Sequence, residues 1–289
     1  MNEIIKPSYD ENYAELRRKW AVRTPDELRK RSQELGEDYL IEGIIPDRSL
    51  GVMIGDSGLG KSPLLYQMAL CVAAGVPFLG NKTRPGRVLC LDFENGLGQV
   101  NEMVSRLTQH LELEKAPENL LLWNFNDYSS EYSRHTVLDM IREFEPKLVI
   151  IDSLTGYHPE IEEKNALAMR CYQEFRKIIQ ECGCAIIGVH HIRKPSDNPK
   201  FRPKPLEDAT LRHWFNQARG PRALINGSDV RLGVDEPHFK SLPQEIASVM
   251  RRFERVRCEV PFFYLACTQV ANLLFAFINK CVRVDSESR

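Results

Sequence analysis

A run of residues near the start of the chain has the pattern G-x-x-x-x-G-K-S. Glycines in such a loop let the backbone curl around a phosphate with its N–H groups pointing inward, and a following helix adds the positive end of its dipole. The lysine of the pattern reaches the β- and γ-phosphates, and the serine hydroxyl binds Mg²⁺. The pattern predicts that ATP and Mg²⁺ are bound by Gly55, Asp56, Ser57, Gly58, Leu59, Gly60, Lys61, Ser62 and Pro63.

The segments on either side of this loop support the prediction. An apolar run at 50–54 is typical of a buried strand, and 64–74 is apolar and helix-forming. Strand, loop and helix is the order that a phosphate loop requires. Pro63 falls in the first helical turn, where its missing N–H costs nothing. A dinucleotide-binding turn is disfavoured, because its glycines are spaced differently and the Lys-Ser pair has no role there.

Three further predicted strands end in polar side chains that suit phosphate chemistry. Residues 87–94 end at Glu94, residues 147–153 carry Asp152 at their tip, and residues 184–190 end at His190. We expect Glu94 to orient the attacking water, Asp152 to hold Mg²⁺ together with Ser62, and His190 to sense the γ-phosphate. Taken singly, Glu94 also suits a loop acid and His190 a hydrogen-bonded core histidine.

Strands that alternate with helices predict an α/β fold with a mostly parallel sheet and helices on both faces. The carboxyl ends of parallel strands share one edge, so the polar tips should meet there. We divide the chain into a helical arm at 1–38, an ATPase domain at 39–267, and a C-terminal helix and tail at 268–289. Later strands are predicted at 222–225, 229–235, 247–255 and 260–266.

Composition limits the class of protein. The net charge of the 289 residues is −1, so any nucleic-acid contact must come from a local patch. The eight cysteines lack paired spacing, which favours a reducing cytoplasm. Residues 1–10 carry charges and do not have the pattern of a signal peptide. Polar residues interrupt 260–282, so a strand followed by an amphipathic helix explains that stretch better than a membrane span.

The arm at 1–38 has a clear helix start. Thr24 is the predicted N-cap, Pro25 takes the first helical position, Glu27 closes a capping box, and Gly36 ends the helix. Its apolar stripe is sparse. The arm therefore suits either a solvated extension of the domain or a segment that docks on a neighbouring subunit.

The order of these motifs resembles the RecA-like P-loop ATPases. The resemblance spans about residues 39–265 and is closest to the hexameric RepA-type plasmid replicative helicases with their bacterial and phage relatives. Its specific pieces are Leu91-Asp92-Phe93-Glu94, Ile150-Ile151-Asp152-Ser153, Gly188-Val189-His190-His191 and Ala218-Arg219-Gly220 through Val230-Arg231.

The resemblance implies a RecA-like fold with C-terminal antiparallel strands, and roles for several residues. Glu94 would activate water, Arg106 would be a further nucleotide-site arginine, and Arg231 would be an arginine finger that enters the neighbouring subunit's site. This chain has Pro221-Arg222 where the family has two small residues, and its spacing to Arg231 is slightly long. Arg219 and Arg222 therefore remain rival fingers.

Residues 193–222 form the basic stretch of the chain, with eight positive and three negative charges. Basic charge with interleaved aromatic rings is what a groove for single-stranded nucleic acid needs, and the resemblance places its DNA loops here. The alternative is a solvated loop beside a core tryptophan. We predict DNA contact by Arg193, Lys194, Lys200, Arg202 and Lys204, with stacking by Phe201, Trp214 and Phe215.

These expectations combine into a function. The leading hypothesis is a cytoplasmic homo-oligomer, a hexameric ring that hydrolyses Mg-ATP and acts on single-stranded DNA with replication or mobile-element proteins. A second hypothesis is a RecA-like switch in recombination, regulation or defence that does not unwind DNA. A third is a small-molecule kinase, which would normally show a lid arginine cluster and an acceptor pocket.

Overall fold

The computed structural model describes residues 11–35, 39–127, 133–193, 198, 204, 210–235 and 283–284. The chain divides into two compact units, Met1–Asp38 and Tyr39–Arg289. Among the described ranges no helix is long and apolar enough to cross a membrane. The predicted strands at 247–255 and 260–266 lie outside these residues, as does the predicted C-terminal segment apart from 283–284.

The described part of the N-terminal unit contains the helices α1 (Glu11–Lys19) and α2 (Pro25–Leu35). The predicted capping box at the start of α2 is confirmed. The backbone N–H of Glu27 donates to Thr24 Oγ1 over 3.3 Å, and the Thr24 N–H donates to Glu27 Oε2 over 2.7 Å. Arg17 pairs with the same Glu27 carboxylate and joins the two helices. Trp20 remains 69% exposed.

The second unit is built on a parallel sheet. Strands β1 (Tyr39–Ile41) and β2 (Ile45–Pro46) form a small antiparallel pair before it. The main sheet contains β3 (Leu50–Gly55), β4 (Val88–Asp92), β5 (Leu120–Asn124), β6 (Leu148–Asp152), β7 (Ala185–His191) and β8 (Val230–Gly233). These run parallel in the order β5-β4-β6-β7-β3-β8, and β9 (Arg283–Val284) pairs antiparallel with β8. The predicted α/β sheet is confirmed.

Helices cover both faces of the sheet because strand side chains alternate between them. On one face lie α3 (Lys61–Ala74) and α4 (Leu97–His110), packed on Met53, Cys90 and Val189. On the other lie α5 (Arg134–Phe144), α6 (Leu154–Tyr157), α7 (Asn165–Cys182), α8 (Leu211–Phe215) and α9 (Ala223–Asn226). The helix α3 is buried on nearly all sides, which fixes the loop that precedes it.

One predicted strand is wrong. Residues 222–225, expected to be extended, form most of the short helix α9 instead. Gly220 has φ +76°, and Pro221 follows it, so the chain turns sharply before α9. Ala223 and Leu224 then favour a helical turn over a strand. The predicted strand at 229–235 is present as β8.

Candidate functional site

The phosphate loop joins β3 to α3 at the carboxyl edge of the sheet. Gly58 and Gly60 have φ of +80° and +77°, a region that residues with a side chain rarely adopt. A Cβ on Gly55 would lie 2.5 Å from the carbonyl oxygen of Val234, so only glycine fits beside the end of β8. The glycines of the motif are therefore required by backbone conformation and by close packing.

Lys61 is the first residue of α3 and is only 5% exposed. Its Nζ donates to the carbonyl oxygen of Asp56 over 2.6 Å, within the loop itself. Burial lowers the pKa of Lys61, and the nearby charges of Asp152, Glu94 and Asp56 oppose that shift. The loop thus holds one buried ammonium group among three carboxylates.

Asp152 ends β6 and is 1% exposed. Burial raises its pKa to about 7, while a hydrogen bond with the Ser62 side chain and the Lys61 charge act in the opposite direction. Its Oδ1 is buried without a hydrogen-bond partner among the described residues. A buried carboxylate oxygen without a partner, beside a serine hydroxyl, matches the oxygen ligands that Mg²⁺ prefers.

The described residues contain no group of three or more His, Cys, Asp or Glu side chains that could hold a metal by themselves. Magnesium in nucleotide sites is bound by one or two protein oxygens together with phosphate and water, so this finding agrees with a Mg²⁺ site at Ser62 and Asp152.

Glu94 lies in the turn that follows β4, and two side chains hold its carboxylate. Ser153 Oγ donates to Glu94 Oε1, and His191 Nε2 lies 3.2 Å from the same oxygen. The hydrogen bond from His191 is the main cause that lowers the pKa of Glu94. Desolvation of the carboxylate acts in the opposite direction. The Ser153 hydrogen bond and the charges of His191 and Lys61 lower the pKa further. Glu94 is therefore an oriented carboxylate in the ionised form that a water-activating group needs.

The two histidines at the end of β7 point to opposite faces. His190 is fully buried, and its Nε2 lies 2.7 Å from the carbonyl oxygen of Arg219. Burial lowers the pKa of His190. Successive side chains of a strand alternate, and it is His191 that contacts Glu94. The predicted role of His190 in sensing the γ-phosphate stays a prediction. The sequence shows both histidines but does not show which face of β7 each side chain takes.

The three rival arginine fingers lie in different surroundings. Arg231 lies opposite Val52 in the sheet register, before the phosphate loop begins, and its Nε donates to the carbonyl oxygen of Ile225 over 2.9 Å. Arg219 pairs with Glu162 at 2.8 Å, and Arg222 is exposed at the start of α9. Arg231 and Arg219 are thus held by contacts with Ile225 and Glu162.

Arg106 lies about 14 Å along the axis of α4 from the start of that helix, which follows the Glu94 turn. Its guanidinium pairs with Glu102, one turn earlier on the same helix. The structure therefore shows Arg106 in a surface ion pair, and its part in nucleotide binding stays a prediction.

Of the predicted DNA-contacting residues, Arg193 and Lys204 are described and exposed, while Lys194, Lys200 and Arg202 lie outside the described residues, as does Phe201. Trp214 and Phe215 are 1% and 3% exposed, which corrects their expected stacking role. The indole Nε1 of Trp214 donates to Asp235 Oδ2 over 3.0 Å. These rings belong to the core because α8 packs them against the sheet.

The strand order and the phosphate loop define the class of protein. Strand β7 lies between the phosphate-loop strand β3 and the Asp152 strand β6, and the acid Glu94 follows the next strand, β4. The chain is a RecA-like P-loop ATPase. A sequence profile described as "AAA domain" matches residues 23–197, more than half of the chain, and the chain belongs to that family.

The solved structures that are similar to this chain include a KaiC-like protein and a recombinase. A KaiC-like protein from the hyperthermophilic archaeon Pyrococcus horikoshii is 14% identical with a TM-score of 0.45, over 71% of this chain and 78% of the other. A RadB recombinase is 18% identical with a TM-score of 0.43, over 66% of this chain and 76% of the other.

Proposed function

We propose that this chain is a ring-forming motor that hydrolyses Mg-ATP and acts on single-stranded DNA. The observation that carries the hydrolytic part is the geometry of Glu94. Its carboxylate is held by Ser153 and His191 at the same sheet edge as Lys61 and Asp152. A kinase can use a similar acid toward an acceptor hydroxyl, so hydrolysis is favoured over transfer to a small molecule by the RecA-like strand order around this acid.

The roles of the residues follow from their surroundings. Lys61 binds the β- and γ-phosphates, and its low exposure strengthens that contact by excluding water. Glu94 accepts a hydrogen bond from the attacking water and orients it. Ser62 and Asp152 hold Mg²⁺, which would neutralise charge on the phosphate oxygens. His191 keeps the Glu94 carboxylate in place, and in this proposal it replaces His190 as the group closest to the reaction.

A ring is proposed because the charge that develops on the γ-phosphate needs a cation beyond Lys61 and Mg²⁺. Arg231 is directed toward α9 on the sheet face opposite α3. A finger directed to that face suits a head-to-tail assembly, in which it faces the next subunit's nucleotide. The resemblance to hexameric plasmid helicases supports six subunits, and replication or mobile-element proteins as partners.

The DNA contact is proposed for the basic stretch that leaves β7. Ile192 pairs with Ala218, and the Arg193 N–H donates to the carbonyl oxygen of Gln217 over 2.8 Å. The start of the stretch, two residues after His191, therefore lies beside Gln217 and Ala218 near its end. Exposed cations at this place, Arg193 and Lys204 among them, would contact phosphates.

A single experiment tests the proposal. ATP hydrolysis is measured with and without single-stranded DNA, and the mass of the particle is measured in the same buffer with ATP. We expect Mg²⁺-dependent turnover that DNA stimulates, and a mass of several chains. Turnover without any DNA response would favour the non-unwinding switch. Absence of ATP turnover would overturn the proposal.

A further inference from the structure

A buried hydrogen-bond network connects the phosphate-loop helix to the turn that carries Glu94. Asp92, the last residue of β4, is 1% exposed and lies at its centre. Its Oδ1 accepts the backbone N–H groups of Glu94 over 3.0 Å and of Asn95 over 2.7 Å. The conformation of the Glu94 turn therefore depends on a carboxylate that is itself fixed in the core.

The other oxygen of Asp92 is held from two directions. Tyr66, on α3, donates its hydroxyl to Asp92 Oδ2 over 2.8 Å, and the Asn95 Nδ2 donates to the same atom over 2.8 Å. The Asn95 Nδ2 also lies 3.4 Å from Asp152 Oδ2. Tyr66 is 1% exposed, and burial raises the pKa of its phenol, so the hydroxyl stays protonated and remains a donor.

We propose that Tyr66 and Asp92 are positioning residues for the hydrolytic acid: they tie the helix that begins at Lys61 and Ser62 to the turn that presents Glu94. This inference rests on the proposed ATP hydrolysis. Neither side chain touches the reacting atoms. Their effect is on distance and angle, since a small misplacement of a catalytic group costs up to about 100-fold in rate.

The network explains a combination of residues that the motifs do not. A tyrosine on a buried helix needs a partner for its hydroxyl, and an aspartate at a strand end that is closed to solvent needs donors. The hydrogen bond from the Tyr66 hydroxyl on α3 to the Asp92 carboxylate on β4 meets both requirements. Because α3 starts in the phosphate loop, a shift of that loop would be transmitted to the Glu94 turn through the Tyr66–Asp92 hydrogen bond.

The test uses Tyr66→Phe in the full chain, which removes the hydroxyl and keeps the ring. We expect kcat for ATP hydrolysis to fall by about 10-fold, with nucleotide affinity close to that of the unchanged protein, because the phosphate contacts stay in place. The matched control is Thr83→Val. The Thr83 hydroxyl donates hydrogen bonds to the carbonyl oxygens of Cys71 and Val76, at the C-terminal end of α3 and away from the phosphate loop. Its removal should leave kcat unchanged.

A double-mutant cycle separates positioning from general loosening of the structure. When Glu94 is already Gln, adding Tyr66→Phe should lower kcat by much less than it does alone, since both changes act through one group. An equal loss in both backgrounds, or an unchanged kcat in Tyr66→Phe, overturns the inference while leaving ATP hydrolysis intact. If the chain without substitutions does not hydrolyse ATP, both the proposed function and this inference are wrong.

Discussion

His191 Nε2 lies 3.2 Å from Glu94 Oε1 and joins the end of β7 to the turn after β4, across the intervening strand β6. The contact brings together an acid and an imidazole that are far apart in the chain. Since the basic stretch begins two residues after His191, this histidine lies between the proposed DNA loop and the proposed hydrolytic acid.

Replacing His191 by Ala should shift the acid limb of kcat to higher pH. The hydrogen bond lowers the pKa of Glu94 below its usual 4.5, so the ionised state is present above that pH and is lost as the pH falls through the lowered pKa. Without the donor, Glu94 titrates nearer its usual value. His191→Gln, whose amide can still donate, should restore part of the profile.

This measurement uses kcat at saturating Mg-ATP rather than kcat/KM. In the free protein burial raises the pKa of Asp152 to about 7, and its titration would mask that of Glu94. Identical acid limbs in His191→Ala and the unchanged protein would show that His191 does not support the acid.

Lys61→Ala should abolish nucleotide binding or turnover, because the β- and γ-phosphates lose their buried cation. Binding of a fluorescent ATP analogue and phosphate release both report the loss. Lys82→Ala, an exposed lysine away from the loop, is the control and should behave as the unchanged protein. Normal turnover in Lys61→Ala would contradict the whole nucleotide assignment.

Glu94→Gln should bind ATP and hydrolyse it more slowly, by on the order of 100-fold or more. The amide keeps the shape of the side chain and loses the anion that polarises water. Equilibrium binding and single-turnover rates distinguish the two effects. If affinity collapses while turnover per bound ATP stays normal, Glu94 has a structural role.

The phosphate loop was predictable from the sequence because everything it needs is local: an apolar strand, glycines at Gly58 and Gly60, and a helix after Lys61. The parallel sheet was predictable from the alternation of strands and helices. The partners of Glu94 were not, since strand order and the phase of β7 depend on contacts far apart in sequence. A short segment such as Ala223–Asn226 has too few residues for periodicity to distinguish helix from strand.

Single-stranded DNA binding should weaken steeply as salt rises, because each phosphate contact releases counterions. Neutralising Lys200, Arg202 and Lys204 together should flatten that dependence. Fluorescence anisotropy of a labelled oligonucleotide at several salt concentrations measures the slope. The control neutralises Lys30, Arg31 and Lys115, which lie elsewhere on the chain. An unchanged slope in the first triple variant would place the DNA site outside 193–222.

The proposed finger predicts an active site shared between subunits. Lys61→Ala chains keep Arg231, and Arg231→Ala chains keep Lys61, so each is expected to be inactive alone. Mixed assemblies should regain part of the activity wherever an intact Lys61 site meets an intact Arg231 from the neighbouring subunit.

ATP turnover is measured across a series of mixing ratios, with Arg219→Ala and Arg222→Ala chains tested in the same way as the rival fingers. Activity should pass through a maximum at intermediate ratios for the true finger, since only mixed interfaces combine both groups. If the activity of every mixture is only the weighted average of the two unmixed variants, each chain works alone. Full activity of Arg231→Ala by itself, or full-rate hydrolysis by a monomer, would rule out a site completed by Arg231.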